Sequence, residues 1–399
     1  VTARTGAAST LAWIRRNDAR QYGMLIALVA IIGFFQVTTG GVMLKPQNVT
    51  NVFLQNGYII VMALGMLLVI VAGHIDLSVG SVAAFTGAFA GVLMVNLKVD
   101  PVLASAGAIL IGGLIGAWHG FWVAYMRIPS FIVTLSGLLL FRGLTLFWLQ
   151  GQPVGPFPES FRAIASGFIP EPIGSIALGP DTLRLTTVVL AGLLCASLIF
   201  LDIQARNEQQ KYGFQVAPFR QFVARNVILT VAILFLASRL AAFNGLPVVL
   251  VLMLALIGIY MFLTSRTVIG RRIYAVGGNA KAATLSGVKS KQMVFLTFVN
   301  MGVLAALGGL VFLARLNSAT PNAGYGFELD VIAATFVGGA SAYGGVGTVA
   351  GAVIGALFLG VLNIGMGLMG IGIDYQFSIK ALVLLAAVFV DVRGKNKDA

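Results

Sequence analysis

Stretches of about 20 apolar residues recur down the whole length of this chain, and no soluble core can hide so many. A helix of roughly 20 residues crosses the hydrocarbon core of a bilayer. Twelve such segments stand out, at residues 21–39, 52–72, 79–97, 101–125, 130–149, 183–201, 227–241, 246–264, 294–314, 329–342, 348–369 and 377–392. The tenth is short and runs into GGASAYGGVG, so it reads as a broken or re-entrant span, which is tolerated where protein or a cavity surrounds it. Composition agrees: 58% of the chain is hydrophobic and 10% charged, against about 25% charged in soluble domains. Mean hydropathy is +0.96. The expected fold class is all-α, a polytopic integral membrane protein of about 12 transmembrane helices.

Basic residues set the orientation, because Lys and Arg accumulate in cytoplasmic loops. With the N-terminus inside, 18 of the 26 Lys and Arg fall in inner loops and tails, and four in outer loops. Both termini are then expected in the cytoplasm. The net charge of +13 reads as this asymmetry and not as a nucleic-acid surface. The expected organisation is a cytoplasmic tail over 1–20, one transmembrane domain over 21–393, and a second tail over 394–399. Within the domain, 150–182 is an outer loop rich in Pro, Gly and Ser, 202–226 is a polar inner loop, and 265–293 is an inner loop with a pattern of its own. The basic N-terminal stretch has no short apolar core with a cleavage site, so no removable signal peptide is expected.

Residues that carry enzyme chemistry are scarce. His74 and His119 are the only histidines and Cys195 the only cysteine, too few for a metal cluster. No GxxxxGK[ST] occurs, so no P-loop cradles a nucleotide. No catalytic, cofactor or metal site is expected on this chain. Three polar features remain. The first is GHIDLSVGS between the second and third segments, with Gly73, His74, Asp76, Ser78 and Gly80. Either Asp76 or Ser78 can cap the helix that starts there, and a gating role is the alternative. The second is Arg142 in the middle of LLLFRGLTLFW, where charge is costly. It faces a polar interior, pairs with a carboxylate, or marks a helix break. Lys380 reads as reaching toward an interface. The third is GRRIYAVGGNAKAATLSGV. Asn279 is a good N-cap, AKAATLSG makes one to two helical turns, and Gly287 closes them. Ala282 and Ala283 would form a smooth face that docks on a partner. An ordinary basic surface loop is the other reading.

These motifs, with IPSFIVTLSGLLLFRG (128–143) and GGASAYGGVGTVAGAVIGALFLGVLNIGM (338–366), occur in an order that resembles the membrane permeases of bacterial ABC importers for monosaccharides, of the ribose, arabinose, galactose and xylose type. The resemblance covers about residues 20 to 393. It implies a ten-helix core of the type II importer kind, and residues 183–241 then read as a two-helix insertion, as in the longer xylose or multiple-sugar permeases. It implies a multi-pass protein of the bacterial inner membrane that imports a pentose such as xylose, or several aldoses. ATP and Mg would be held by a cytoplasmic ATP-binding partner. A periplasmic sugar-binding protein and a second permease subunit, with a homodimer favoured, complete the expected assembly. The coupling contacts implied are Arg271, Arg272, Gly278, Asn279, Ala282, Ala283, Ser286 and Gly287. Gln55, Asn56 and Arg142 are candidates for the substrate path. The rival expectations are an ABC permease for a nucleoside or amino acid, an ion-coupled sugar transporter, and a non-transporting scaffold or sensor. An ion-coupled transporter needs carboxylates near the midplane, and Asp76 and Asp374 are poorly placed for that.

Overall fold

The computed structural model describes residues 23–178, 181–214, 216 and 218–396. The tail expected over 1–20 and the last three residues of the C-terminal tail lie outside them. The helices are α1 (Gly23–Thr38), α2 (Pro46–Val71), α3 (Val79–Val95), α4 (Pro101–Ala124), α5 (Ser130–Leu149), α6 (Glu159–Ser166), α7 (Leu185–Lys211), α8 (Phe219–Ala241), α9 (Val248–Arg266), α10 (Val268–Gly278), α11 (Ala280–Leu285), α12 (Ser290–Leu316), α13 (Phe327–Val337), α14 (Val349–Leu368) and α15 (Ile373–Asn396). Strands β1 (Ser175–Leu178) and β2 (Asp181–Arg184) form one antiparallel hairpin. Among the described residues, 9 helices are long and apolar enough to cross a membrane, and α1 and α3 are shorter apolar helices. The chain is therefore a polytopic helical membrane protein, and each apolar segment marked on the sequence falls on one of these helices.

Helix starts follow local chemistry. Proline, whose missing N–H is harmless in the first turn, opens α2 and α4. Asp100 caps α4, its carboxylate accepting from the Val102 and Leu103 amides at 2.8 and 3.3 Å.

The bundle is built around α2. From Tyr58 to Val71 its sequence is apolar on every side, the signature of a helix with no solvent or lipid face, and 94% of its apolar window is buried. Helices α12, α14, α13, α9 and α8 surround it. The most extensive helix pairing joins α12 to α4. There, a Cβ on Gly302 would collide with the Gly112 carbonyl and the Gly116 backbone. In a bilayer, helices associate through such small residues because lipid is as apolar as leucine.

Two elements begin at half height. Phe327, the first residue of α13, stacks on Tyr58 at 4.1 Å between ring centres, and Tyr58 lies near the midpoint of α2. Gly80, at the start of α3, lies against the Gly324 carbonyl. With 11 residues, α13 spans only about 16 Å, half of the hydrocarbon core. It stops at Gly338, and residues 338–348 continue without helix to the end of the bundle that holds Val71. The tenth segment is thus broken, as its glycines suggest.

The α7–α8 pair lies at the periphery. Helix α7 packs on α8, which leans on α2 and β2. The polar loop expected over 202–226 is mostly helix: α7 continues to Lys211 and α8 starts at Phe219. Asp202 ties the two together through Arg225 and through Asn226 at 2.9 Å. The loop 150–182 carries α6 and the first strand of the hairpin.

Candidate functional site

Several basic residues gather at one end. A groove of about 1180 Å³ there is lined by Arg127, Lys281, Lys289, Lys291 and the exposed Leu285. Helices α10 and α11 form this end. Thr267 caps α10, its Oγ1 accepting from the Gly270 amide at 3.1 Å. Helix α10 is amphipathic and buries Gly270, Ile273 and Val276. No sequence pattern pointed to this helix, because its glycines and two arginines resemble loop composition. Asn279 ends α10 and caps α11, Oδ1 accepting from Ala282 N at 3.0 Å. At the other end of α11 the Gly287 amide bonds the Thr284 carbonyl and the Val288 amide bonds the Ala283 carbonyl, both at 3.0 Å. That paired closure needs a left-handed residue, and Gly287 has φ +83°. The cap and closure expected for this stretch are therefore present.

The outward face of this stretch is not made of the residues expected. Ala282 is exposed but Ala283 is buried against the protein, so the two alanines form no common docking face. Successive residues of a helix point about 100° apart, and the body of the protein takes the Ala283 side. The projecting apolar side chain is Leu285, 90% exposed. Arg271, Arg272, Gly278, Asn279, Ser286 and Gly287 are exposed as well.

Helix α10 is joined to the breaks in the bundle. The Tyr274 hydroxyl donates to the Gly347 carbonyl at 2.8 Å, and the Gly345 amide donates to the Val71 carbonyl at 2.8 Å. A Cβ on Gly277 would strike that same Val71 carbonyl. Burial pushes the Tyr274 hydroxyl up to about 12, so it remains a donor at any physiological pH. Asp391 of α15 holds the loop from the other side, accepting from Ser341 Oγ and the Ala342 amide, both at 3.1 Å. Tyr274→Phe is expected to loosen this joint by about 1 kcal/mol. Hydrogen exchange should speed up in peptides covering 341–348 with global unfolding unchanged; unchanged local exchange would refute the tie.

The GHIDLSVGS turn meets the same joint, with Gly73 against Gly344. Its polar residues are deeper than the sequence suggested. Asp76 is 3% exposed, a correction to its reading as a charge that need not be buried. Nor does it cap α3. Its Oδ1 accepts from the Ser78 amide at 2.8 Å and the Ser78 hydroxyl at 2.6 Å, and Ser78, the residue before α3, makes no side-chain cap bond. The carboxylate folds the turn instead, while the chain climbs from Val71 to the half-height start of α3. His119 lies within electrostatic reach of Asp76, and His74 packs 5.9 Å from the Phe298 ring.

The path candidates separate. Gln55 is exposed, in a cleft of about 460 Å³ with Tyr58 and Arg315. Asn56 is buried: its Nδ2 donates to Val52 and Gly360 carbonyls, and its Oδ1 accepts from Asn363 at 3.1 Å. Arg142 reaches the stretch before α13, where its Nη1 donates to the Ala323 carbonyl at 2.8 Å.

Two carboxylates escaped the sequence reading. Glu328 and Asp330 occupy the first turn of α13, where acidic residues complement the helix dipole. Asp330 pairs with Lys380 of α15 at 2.9 Å, so Lys380 does not reach toward an interface. Tyr58 and Asn363 lie within electrostatic reach of Asp330, so polar groups of α2, α13, α14 and α15 meet in one buried region. The available signal was Lys380 itself, since a mid-span ammonium requires an acid nearby. The two residues are 50 positions apart, and no local pattern links them.

Comparisons with known proteins agree with this architecture. Residues 48–389 match the family model described as branched-chain amino acid transport system / permease component. The chain is 35% identical over 386 residues to the xylose transport system permease protein XylH of Haemophilus influenzae, covering 96% of this chain and 99% of that one. It is 36% identical over 385 residues to XylH of Escherichia coli K12, covering 96% and 94%. It is 33% identical over 383 residues to the ribose import permease protein RbsC of the same organism, covering 96% and 95%. No solved structure matches. On a family model that spans most of its helices and on relatives matched nearly end to end, the chain belongs to this family of transport-system permease components.

Proposed function

We propose that the chain is the transmembrane subunit of an ATP-driven importer that moves a monosaccharide, a pentose such as xylose or several aldoses, from the periplasm to the cytoplasm across a bacterial inner membrane. The observation that carries this reading is the α10–α11 joint. A short capped helix with an exposed leucine projects from the basic end, and it is tied through Tyr274 and Gly277 to both interruptions of the bundle. The basic end faces the cytoplasm, in keeping with the positive-inside distribution, and both termini lie on that side of twelve crossings. A cytoplasmic ATP-binding protein, which holds ATP and Mg, docks on α11 with Arg271, Arg272, Asn279, Ser286 and Leu285 around the contact. A push on α11 moves α10, and α10 moves residues 344–347 and the end of α2. The GHIDLSVGS turn and the half-helix α13 move with them. Two such subunits form the path between them. A periplasmic sugar-binding protein meets α6 and the β-hairpin at the opposite end. The xylose and ribose permeases among the relatives support the substrate class.

The test is uptake of radiolabelled xylose, arabinose, galactose, glucose and ribose in cells with and without this chain, the ATP-binding and sugar-binding partners present in both. Loss of uptake of at least one sugar is the expected result. Unchanged uptake of all five would sink the sugar reading and point to nucleosides or amino acids.

Glu328 and Asp330 favour a second reading, an ion-coupled transporter, because they supply the carboxylates at depth that such a mechanism requires. Against it, Asp330 is neutralised by Lys380 and enclosed by Tyr58 and Asn363. Uptake that persists under an uncoupler but fails without ATP would exclude ion coupling.

A further inference from the structure

Around Arg142 the bundle keeps a group of polar and aromatic side chains. The Arg142 guanidinium gives one N–H to the Ala323 carbonyl and lies 5.6 Å from the centre of the Tyr325 ring. Glu328 is within electrostatic reach of it, and Glu328 Oε2 is buried with no hydrogen-bond partner. Tyr325 is 69% exposed, although it stands two residues before Phe327, which is buried against Tyr58. Its ring meets Phe377 of α15 edge-on at 5.8 Å. The group therefore sits at half height, between α5 and α15, and opens away from the α2 core.

Each member is costly if its role is structural. An arginine at bilayer depth is expensive and calls for a functional account. A carboxylate oxygen buried without a partner costs the full loss of its hydration. An exposed tyrosine beside them buries little area. Together they match the needs of one ligand class. A pyranose has an apolar C–H face suited to an aromatic ring, and hydroxyls that both donate and accept. The guanidinium only donates and the carboxylate only accepts. Their opposite charges select neither an anion nor a cation.

We propose that Arg142, Tyr325 and Glu328 form a transient contact point for a neutral sugar halfway along the path. The ring slides over Tyr325 while its hydroxyls bond the guanidinium, and the Glu328 carboxylate, with Oε2 buried beside Gly80, balances the arginine's charge. This rests on the reading of the chain as a sugar permease, and it adds the residues that touch the cargo. A conducting path needs contacts that admit the cargo and still release it, and the exposed Tyr325 ring beside a half-buried guanidinium meets that need where an enclosed pocket would not.

The experiment uses the whole complex, permease with ATP-binding and sugar-binding proteins, in proteoliposomes. The quantity read is labelled xylose, and separately ribose, delivered per ATP hydrolysed. Tyr325→Leu keeps an apolar side chain and loses the ring. It is expected to lower sugar delivered per ATP about tenfold, the loss of about 1.4 kcal/mol of contact. Tyr325→Trp, which restores an aromatic face, is expected to stay within about twofold of wild type on that scale. Glu328→Gln, nearly isosteric, is expected to lower the ratio as well, and it decides the matter if the leucine variant fails to assemble. Wild-type ratios in both Tyr325→Leu and Glu328→Gln would overturn the contact point while leaving the importer reading intact. A wild-type complex that delivers neither sugar would overturn the reading on which the contact point rests.

Discussion

Lys380→Met is expected to leave little folded protein in the membrane. Asp330 is buried, its side chain only 4% exposed, and the Lys380 ammonium at 2.9 Å is its counter-charge. Removing one partner of such a pair costs about 3–5 kcal/mol, because the remaining charge stays buried and uncompensated. A native domain has only about 5–15 kcal/mol to lose. Removing both charges costs far less when the replacements fill the space. Asp330→Leu combined with Lys380→Met is therefore expected to recover most of the folded yield. Thermal unfolding of purified protein, followed by tryptophan fluorescence, measures both variants. A single Lys380→Met variant as stable as wild type would show that the pair holds nothing together. A double variant no better than the single would shift the cost from charge to packing.

Leu285→Asp carries the second large effect, on association and not on folding. The side chain is 90% exposed and its helix is capped at both ends by groups that the change does not touch. The fold should not register the substitution. If α11 is where an ATP-binding partner docks, a projecting leucine is the side chain that fills a pocket there, and losing such an anchor costs about 2 kcal/mol or more. Placing a carboxylate in that pocket adds the cost of burying an unpaired charge. Co-purification of the ATP-binding protein and ATP-dependent uptake should both fail, while unfolding of the isolated permease stays where it was. Normal co-purification would move the docking surface off α11.

What the sequence made legible was local. The apolar runs placed the spanning helices because their signal lies within each segment. Asn279 and Gly287 framed α11 because capping depends on neighbours within four residues. The break after α13 was visible in its glycines. What stayed hidden depends on contacts between distant segments. The burial of Ala283 follows from the side on which α10 lays α11 against α12. The burial of Asp76 follows from α3 starting at half height, a position set by Gly80 meeting Gly324. Asp330 was overlooked because its partner is on another helix, and Asn56 looked available for cargo because its partner Asn363 is more than 300 residues away. A loop composition of glycine and arginine concealed α10, whose helix is held by packing of Ile273 and Val276 and not by propensity.

The central position of α2 bears on how the protein is made. Helix α2 leaves the ribosome well before α12, α13 and α14, which enclose it. At about 5–20 residues per second, roughly 10–50 s separate the synthesis of α2 from that of α12. During that interval α2 must wait in lipid. It can do so because its surface is apolar all round from Tyr58 to Val71, and acyl chains solvate leucine as well as a neighbouring helix does. Two of its polar groups, Asn56 and the Tyr58 hydroxyl, wait without their final neighbours. Asn363, which bonds Asn56, and Asp330 reach them only when α13 and α14 arrive. Chains that stop short of α14 expose an unfinished polar patch within the bilayer, a recognisable mark for membrane quality control.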